Sequence, residues 1–254
     1  MDLIPEGIEP GTILIVEYDP ESQWLAVATT IATRFLAAGG YLCYVSELRS
    51  TDDVKRDFTR LGADIPSLVK TGRLFFYDYY SAGLTGGSLP SIPQHGFFEN
   101  FEGGRRVSSL KIADLSIQWL KDSKYGYEPE DVVEKWPPGA LAIAESASQM
   151  LRFNDESAFV EYAISRVNPN ERKANRINVT GFVRGVHSES FYRRIEDATD
   201  GVVDIRVSEK KGEPKNLLRV RSLKGKRYDA RWHEITIGAD GEATLKPLTT
   251  LKMY

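Results

Sequence analysis

One cysteine, Cys43, is all the thiol the 254-residue chain contains. A lone cysteine excludes an internal disulfide and a thiolate zinc site. Its place in the apolar run Tyr41 to Val45 reads as a buried structural thiol. Histidine is nearly as scarce: His95, His187 and His233 lie far apart without carboxylates at ligand spacing, so no metal site is expected. No G-x-S-x-G elbow marks a nucleophilic serine. No stretch approaches the roughly 18 apolar residues that span a membrane. Met1-Asp2 leads to Pro5 rather than to a basic and then an apolar region, so no signal peptide is expected and the chain is expected to be cytoplasmic. There is no excess of positive charge either: 33 Lys and Arg face 36 Asp and Glu, a net −3. That argues against coating of nucleic acid and leaves only a local basic patch for such a role.

What is present suits one large α/β domain, with 41% hydrophobic and 27% charged residues. Thr12 to Val16 is a β-branched and aliphatic run, the pattern of a strand buried on both faces. Asp19-Pro20-Glu21 reads as a helix start, with Asp19 as the cap, and the helix stops at Gly39-Gly40. A strand from Tyr41 to Val45, a helix capped by Ser50 or Thr51, and a strand Leu74 to Tyr77 complete a β-α-β-α-β unit. Right-handed crossovers make such a sheet parallel. Residues 80–107, with many glycines and three phenylalanines, read as one long loop, either mobile or docking a partner. A helix from Ser108 or Ser109, a strand Ala140 to Ala144, a helix capped by Asn154 or Asp155, a strand Ile177 to Val183 and a helix around Phe191 follow. From Val202 on, short runs separated by Lys211-Gly212, Lys224-Gly225 and Asp240-Gly241 read as hairpins. The expected layout is one domain over 1–254, with a core 8–207 and an antiparallel C-terminal β extension 208–254.

Several strings, in this order, resemble the KaiC-like branch of the RecA-superfamily ATPases, common in archaea. They are Ile8-Glu9-Pro10-Gly11-Thr12 before the first strand, and Gly62-Ala63-Asp64 through Gly72-Arg73-Leu74 to Asp78. Val186-His187-Ser188 through Ala198-Thr199-Asp200-Gly201-Val202 and Leu223-Lys224-Gly225 through His233 complete the set. The resemblance implies a RecA-like P-loop NTPase sandwich, with a mostly parallel core sheet and an antiparallel C-terminal extension.

The motifs that carry the family's chemistry are degenerate. Where the Walker A loop reads G-x-x-x-x-G-K-[ST], this chain has Glu17-Tyr18-Asp19-Pro20-Glu21-Ser22-Gln23-Trp24. Glu17 and Ser22 replace glycines whose backbone N–H groups wrap phosphates, and Gln23 replaces the lysine. Trp24 replaces the magnesium-binding hydroxyl. Asp19 and Glu21 add charge of the wrong sign. Losing the lysine and the metal ligand costs about three to four orders of magnitude in affinity, at roughly 1.5–3 kcal/mol per charge-assisted contact. In the Walker B strand, Ala140 to Ser146, Glu145 takes the place of the magnesium-organising aspartate. The family's paired glutamates after the second strand read Ser46-Glu47, so Glu47 and Glu145 are the vestigial catalytic candidates. Trp24 is expected to pack where phosphate and magnesium lie in active relatives.

No cofactor is therefore expected, with ATP and magnesium as the alternative. The basic run Lys224, Lys226, Arg227 and Arg231 reads as a solvated hairpin or as an interface, since in RecA-like rings this segment faces the neighbouring subunit. The first expectation is a non-catalytic paralogue acting as a regulatory or assembly subunit, in a homo-oligomer or with an intact KaiC-like paralogue. The alternative is a divergent ATPase using Glu47 and Glu145. The third is a recombinase-like DNA-binding accessory, the least supported because no aromatic ladder interleaves the charges.

Overall fold

The computed structural model describes residues 3–80, 98–107, 136–151, 155–210 and 213–248. The helix expected from Ser108 or Ser109 falls outside these residues, as do His95 and the Lys211-Gly212 turn.

Among the described residues eleven strands form one sheet: β1 Ile13–Tyr18, β2 Leu42–Ser46, β3 Leu74–Asp78, β4 Phe98–Phe101, β5 Gly104–Val107, β6 Leu141–Ala144, β7 Ile177–Val183, β8 Gly201–Lys210, β9 Glu213–Leu223, β10 His233–Ile237 and β11 Ala243–Pro247. Their spatial order is β11-β10-β9-β8-β1-β7-β6-β2-β3-β5-β4. The seven strands from β8 to β5 are parallel, flanked by antiparallel β4 on one side and β9 to β11 on the other.

Helices cover both faces. On one side lie α1 Trp24–Ala37, α2 Thr51–Arg60 and α3 Ile65–Lys70. On the other lie α4 Ser148–Leu151, α5 Glu156–Tyr162 and α7 Glu189–Asp197. A π-helical turn, Ala163–Val167, runs α5 on into α6 Asn168–Lys173. Successive side chains of a strand leave on opposite faces. Accordingly Leu14, Val16 and Tyr18 pack under α1, while Ile15 packs with Phe159, Phe182 and Phe191 on the far side. Cys43 is buried there as a free thiol, and its burial pushes it up to about 12.

Two expectations need correcting. The stretch 98–107 is not loop: β4 and β5 pair as a hairpin, and β5 extends the sheet beyond β3. Helix α1 begins at Trp24, not at Pro20, and its N-cap residue Gln23 makes no side-chain capping bond. Asp19 does not cap it because its carboxylate accepts the Val207 N–H at 2.9 Å and lies 3.6 Å from Arg184. Elsewhere the caps follow the sequence: Ser50 for α2 and Asp155 for α5.

Candidate functional site

The loop from Glu17 to Trp24 leaves the C-terminal end of β1 and enters α1. No residue in it takes a positive φ, so the backbone is not turned as glycines would turn it. Three of its N–H groups are engaged by the protein itself. Asp19 donates to the Ile205 carbonyl at 3.0 Å and Ser22 to the Asp19 carbonyl at 2.9 Å. Gln23 donates to Asn216 Oδ1 at 2.9 Å. Two of these partners, with Val207, come from the β8–β9 hairpin, which overhangs the loop.

Trp24 is 1% exposed, as its place in the sequence leads one to expect. Its Nε1–H donates to the Glu145 carbonyl at 2.7 Å, tying the start of α1 to the end of β6. The indole stacks on Tyr18 at 6.0 Å between ring centroids. Room for it exists because residue 181 is glycine. A Cβ there would lie 2.3 Å from the Glu145 carbonyl oxygen and 2.7 Å from Trp24 Nε1. The bulky indole, the carbonyl and the missing side chain thus form one packed unit.

Glu145 is fully buried. Its Oε1 accepts from the Tyr44 hydroxyl at 2.9 Å and from Arg49 Nε at 2.7 Å. Its Oε2 accepts the N–H groups of Glu47 and Leu48, both at 3.1 Å. Arg49 is held in turn by Thr29 Oγ1 at 2.8 Å and by the Asp57 carboxylate. Glu47 accepts the Ser146 N–H at 2.6 Å. Burial pushes the Glu47 carboxyl up to about 8; the Ser146 N–H opposes that shift and the Glu145 charge adds to it. Arg49 and Tyr44 are the residues that reasoning from sequence missed. The only signal was an arginine standing between a strand end and a helix cap.

Glu17, in the first glycine's position, points to the opposite face of β1 from Tyr18 and Trp24. It pairs in register with Asp204 of β8, which in turn pairs with Arg219 of β9. Three arginines neutralise this acidic row. Arg221 reaches Glu17 at 2.6 Å and Glu196 at 2.9 Å. Arg206 and Arg219 reach Asp204 at 2.7 and 2.8 Å. Burial, then a carboxyl hydrogen bond with Glu196, pushes Glu17 up to about 7 against the pull of Arg221. Glu21 is exposed. The acid of the loop is therefore largely answered within the chain.

The basic hairpin residues also meet partners of this chain. Lys226 lies 2.5 Å from Glu9, Lys224 donates to the Asp197 carbonyl at 2.8 Å, and Arg231 lies 2.6 Å from Asp229. Arg227, 3.9 Å from Glu6, leaves 91% of its side chain exposed. His233 is fully buried at the start of β10, and His187 follows β7 on another part of the sheet. Among the described residues no three His, Cys, Asp or Glu side chains are grouped to hold a metal ion. Among them, too, no helix is long and apolar enough to cross a membrane.

No family model matches the chain, and no curated protein matches it significantly. Among solved structures it is similar to a KaiC-like protein from the hyperthermophilic archaeon Pyrococcus horikoshii, at a TM-score of 0.65 and 14% sequence identity. The likeness covers 96% of this chain and 94% of that one. The strand order, the helices on both faces and the antiparallel C-terminal edge are together those of a KaiC-like, RecA-type α/β fold.

Proposed function

We propose that the chain is a KaiC-like paralogue, non-catalytic at its nucleotide loop, that serves as a regulatory or assembly subunit through protein–protein contacts. The observation that carries this reading is the Trp24 indole, buried in the position of the family's magnesium ligand and hydrogen-bonded to the Glu145 carbonyl. Two further features support it: three loop amides bonded within the chain, and the carboxylates of Glu47 and Glu145, each engaged by backbone N–H groups. Side-to-side assembly with a second copy or with an intact paralogue brings the Lys224 to Arg231 hairpin to a neighbour. Arg227 leaves 91% of its side chain exposed there.

Titration calorimetry with Mg-ATP tests the reading. No measurable heat at millimolar nucleotide is the expected result. A dissociation constant in the low micromolar range refutes it and favours the divergent ATPase.

A further inference from the structure

Ser148 opens α4 four residues after the end of β6, in a strand–turn–helix corner at the C-terminal edge of the parallel strands. The neighbouring strand β7 ends at Val183, and Gly185, at φ 77°, turns the chain so that His187 returns over Ser148. Glu156, the first residue of α5, completes the group. Thirty-nine residues separate Ser148 from His187 in sequence, yet Ser148 Oγ and His187 Nε2 are 2.8 Å apart.

The Val183 N–H donates to Ser148 Oγ at 3.0 Å. His187 Nδ1 faces Glu156 Oε1 at 3.5 Å, and a carboxylate there favours the tautomer with its hydrogen on Nδ1. In that tautomer Nε2 accepts from the Ser148 hydroxyl. Glu156 is itself fixed by the Ser188 N–H at 3.0 Å and the Ser188 hydroxyl at 2.5 Å. The ring is wedged against Phe191 and Tyr192, with centroids 4.8 and 5.8 Å away. Burial holds the His187 imidazolium below its ordinary range, and the Ser188 hydroxyl holds the Glu156 carboxyl below its own. A neutral imidazole beside a carboxylate is the ground state of a general base at neutral pH.

The group borders a cleft of about 610 Å³, within the usual size of a small-molecule site. Leu151, Val183 and Val186 supply apolar walls, and Asp155 and Glu156 make the rim acidic. We propose that Ser148 is a nucleophile with His187 as its general base and Glu156 as the residue positioning the imidazole, acting on small carboxylic esters with apolar acyl groups and uncharged or cationic leaving groups. The Oγ–carbon bond forms as the hydroxyl proton passes to Nε2. The leaving alkoxide takes that proton as the ester C–O bond breaks. Water then repeats the sequence on the acyl-serine, so that one ester and one water give one acid and one alcohol. This chemistry is independent of the nucleotide loop and of the assembly reading above.

Fluorophosphonate labelling of the full chain, mapped by peptide mass, tests the proposal. A single adduct on Ser148 is expected, absent in Ser148→Ala and abolished when the native chain is unfolded in urea. In His187→Gln, checked for folding by its melting transition, labelling should slow about 100-fold or more. A folded native chain with no adduct on Ser148 overturns the proposal. So does an adduct that persists in urea, or one that forms at the native rate in folded His187→Gln.

Discussion

Glu47 and Glu145 clasp each other's backbone: the Glu145 carboxylate takes the N–H of Glu47, and the Glu47 carboxylate takes the N–H of Ser146, the residue after Glu145. The exchange fastens the loop after β2 to the loop after β6. Removing Glu145 leaves the Tyr44 hydroxyl, Arg49 Nε and two amides without their acceptor, while Arg49 keeps only the Asp57 carboxylate as its counter-charge. Glu145→Ala should therefore cost about 3–5 kcal/mol in urea denaturation. Glu145→Asp should also destabilise, because the shorter side chain cannot reach Tyr44, Arg49 and both amides at once.

Glu47 gives a pH dependence of defined sign. Its folded value of about 8 stands above the ordinary 4.5 of a glutamate, so folding favours the protonated form. That contribution is complete below about 4.5 and is lost as pH rises towards 8. A glutamine keeps an oxygen for the Ser146 N–H and carries no charge. Glu47→Gln should match the native chain near pH 4.5 and become progressively more stable than it towards pH 8, as read by denaturation midpoints.

Trp24 and Gly181 should fail together. Trp24→Phe leaves the Glu145 carbonyl without its donor and should cost about 1–3 kcal/mol. Gly181→Ala should cost a similar or larger amount, about 1–3 kcal/mol from overpacking alone. Removing the indole will not rescue it, because the nearest clash is with the Glu145 backbone oxygen. Thermal melts of the two single variants and of Trp24→Ala/Gly181→Ala check this.

Assembly through the hairpin should depend on salt. Exposed charge pairs are screened over about 10 Å at 0.1 M ionic strength. Light scattering should show association with itself or with an intact paralogue at low salt, reduced at high salt and in Lys226→Glu/Arg227→Glu. The intrachain pairs broken by that double change are exposed and should cost under about 1 kcal/mol each, leaving the fold intact.

The central strands could be read from sequence because burial on both faces leaves continuous apolar runs, as in β1 and β2. Hydroxyl and carboxylate caps such as Ser50 and Asp155 act locally and were equally plain. The failures came where a distant group outbid a local one. Asp19 looked like a cap, but the Val207 N–H, 188 residues away in sequence, holds its carboxylate. The β4–β5 hairpin hid in a glycine-rich stretch, and α3 hid behind a motif string. The departure of residues 17–24 from the phosphate-loop pattern was visible residue by residue. The role of Glu145 was not, since nothing local announces that Arg49 and Tyr44 converge on it.

Gly181 also limits which changes the site tolerates one at a time. Replacing Trp24 by a hydroxyl residue in one step would open a void of indole size and orphan a buried carbonyl, at a cost of about 3–5 kcal/mol. That is a large share of the roughly 5–15 kcal/mol that holds a domain folded. Glycine, indole and carbonyl depend on one another. Any different filling of this corner has to change several residues together, because each single exchange is penalised by the two that stay.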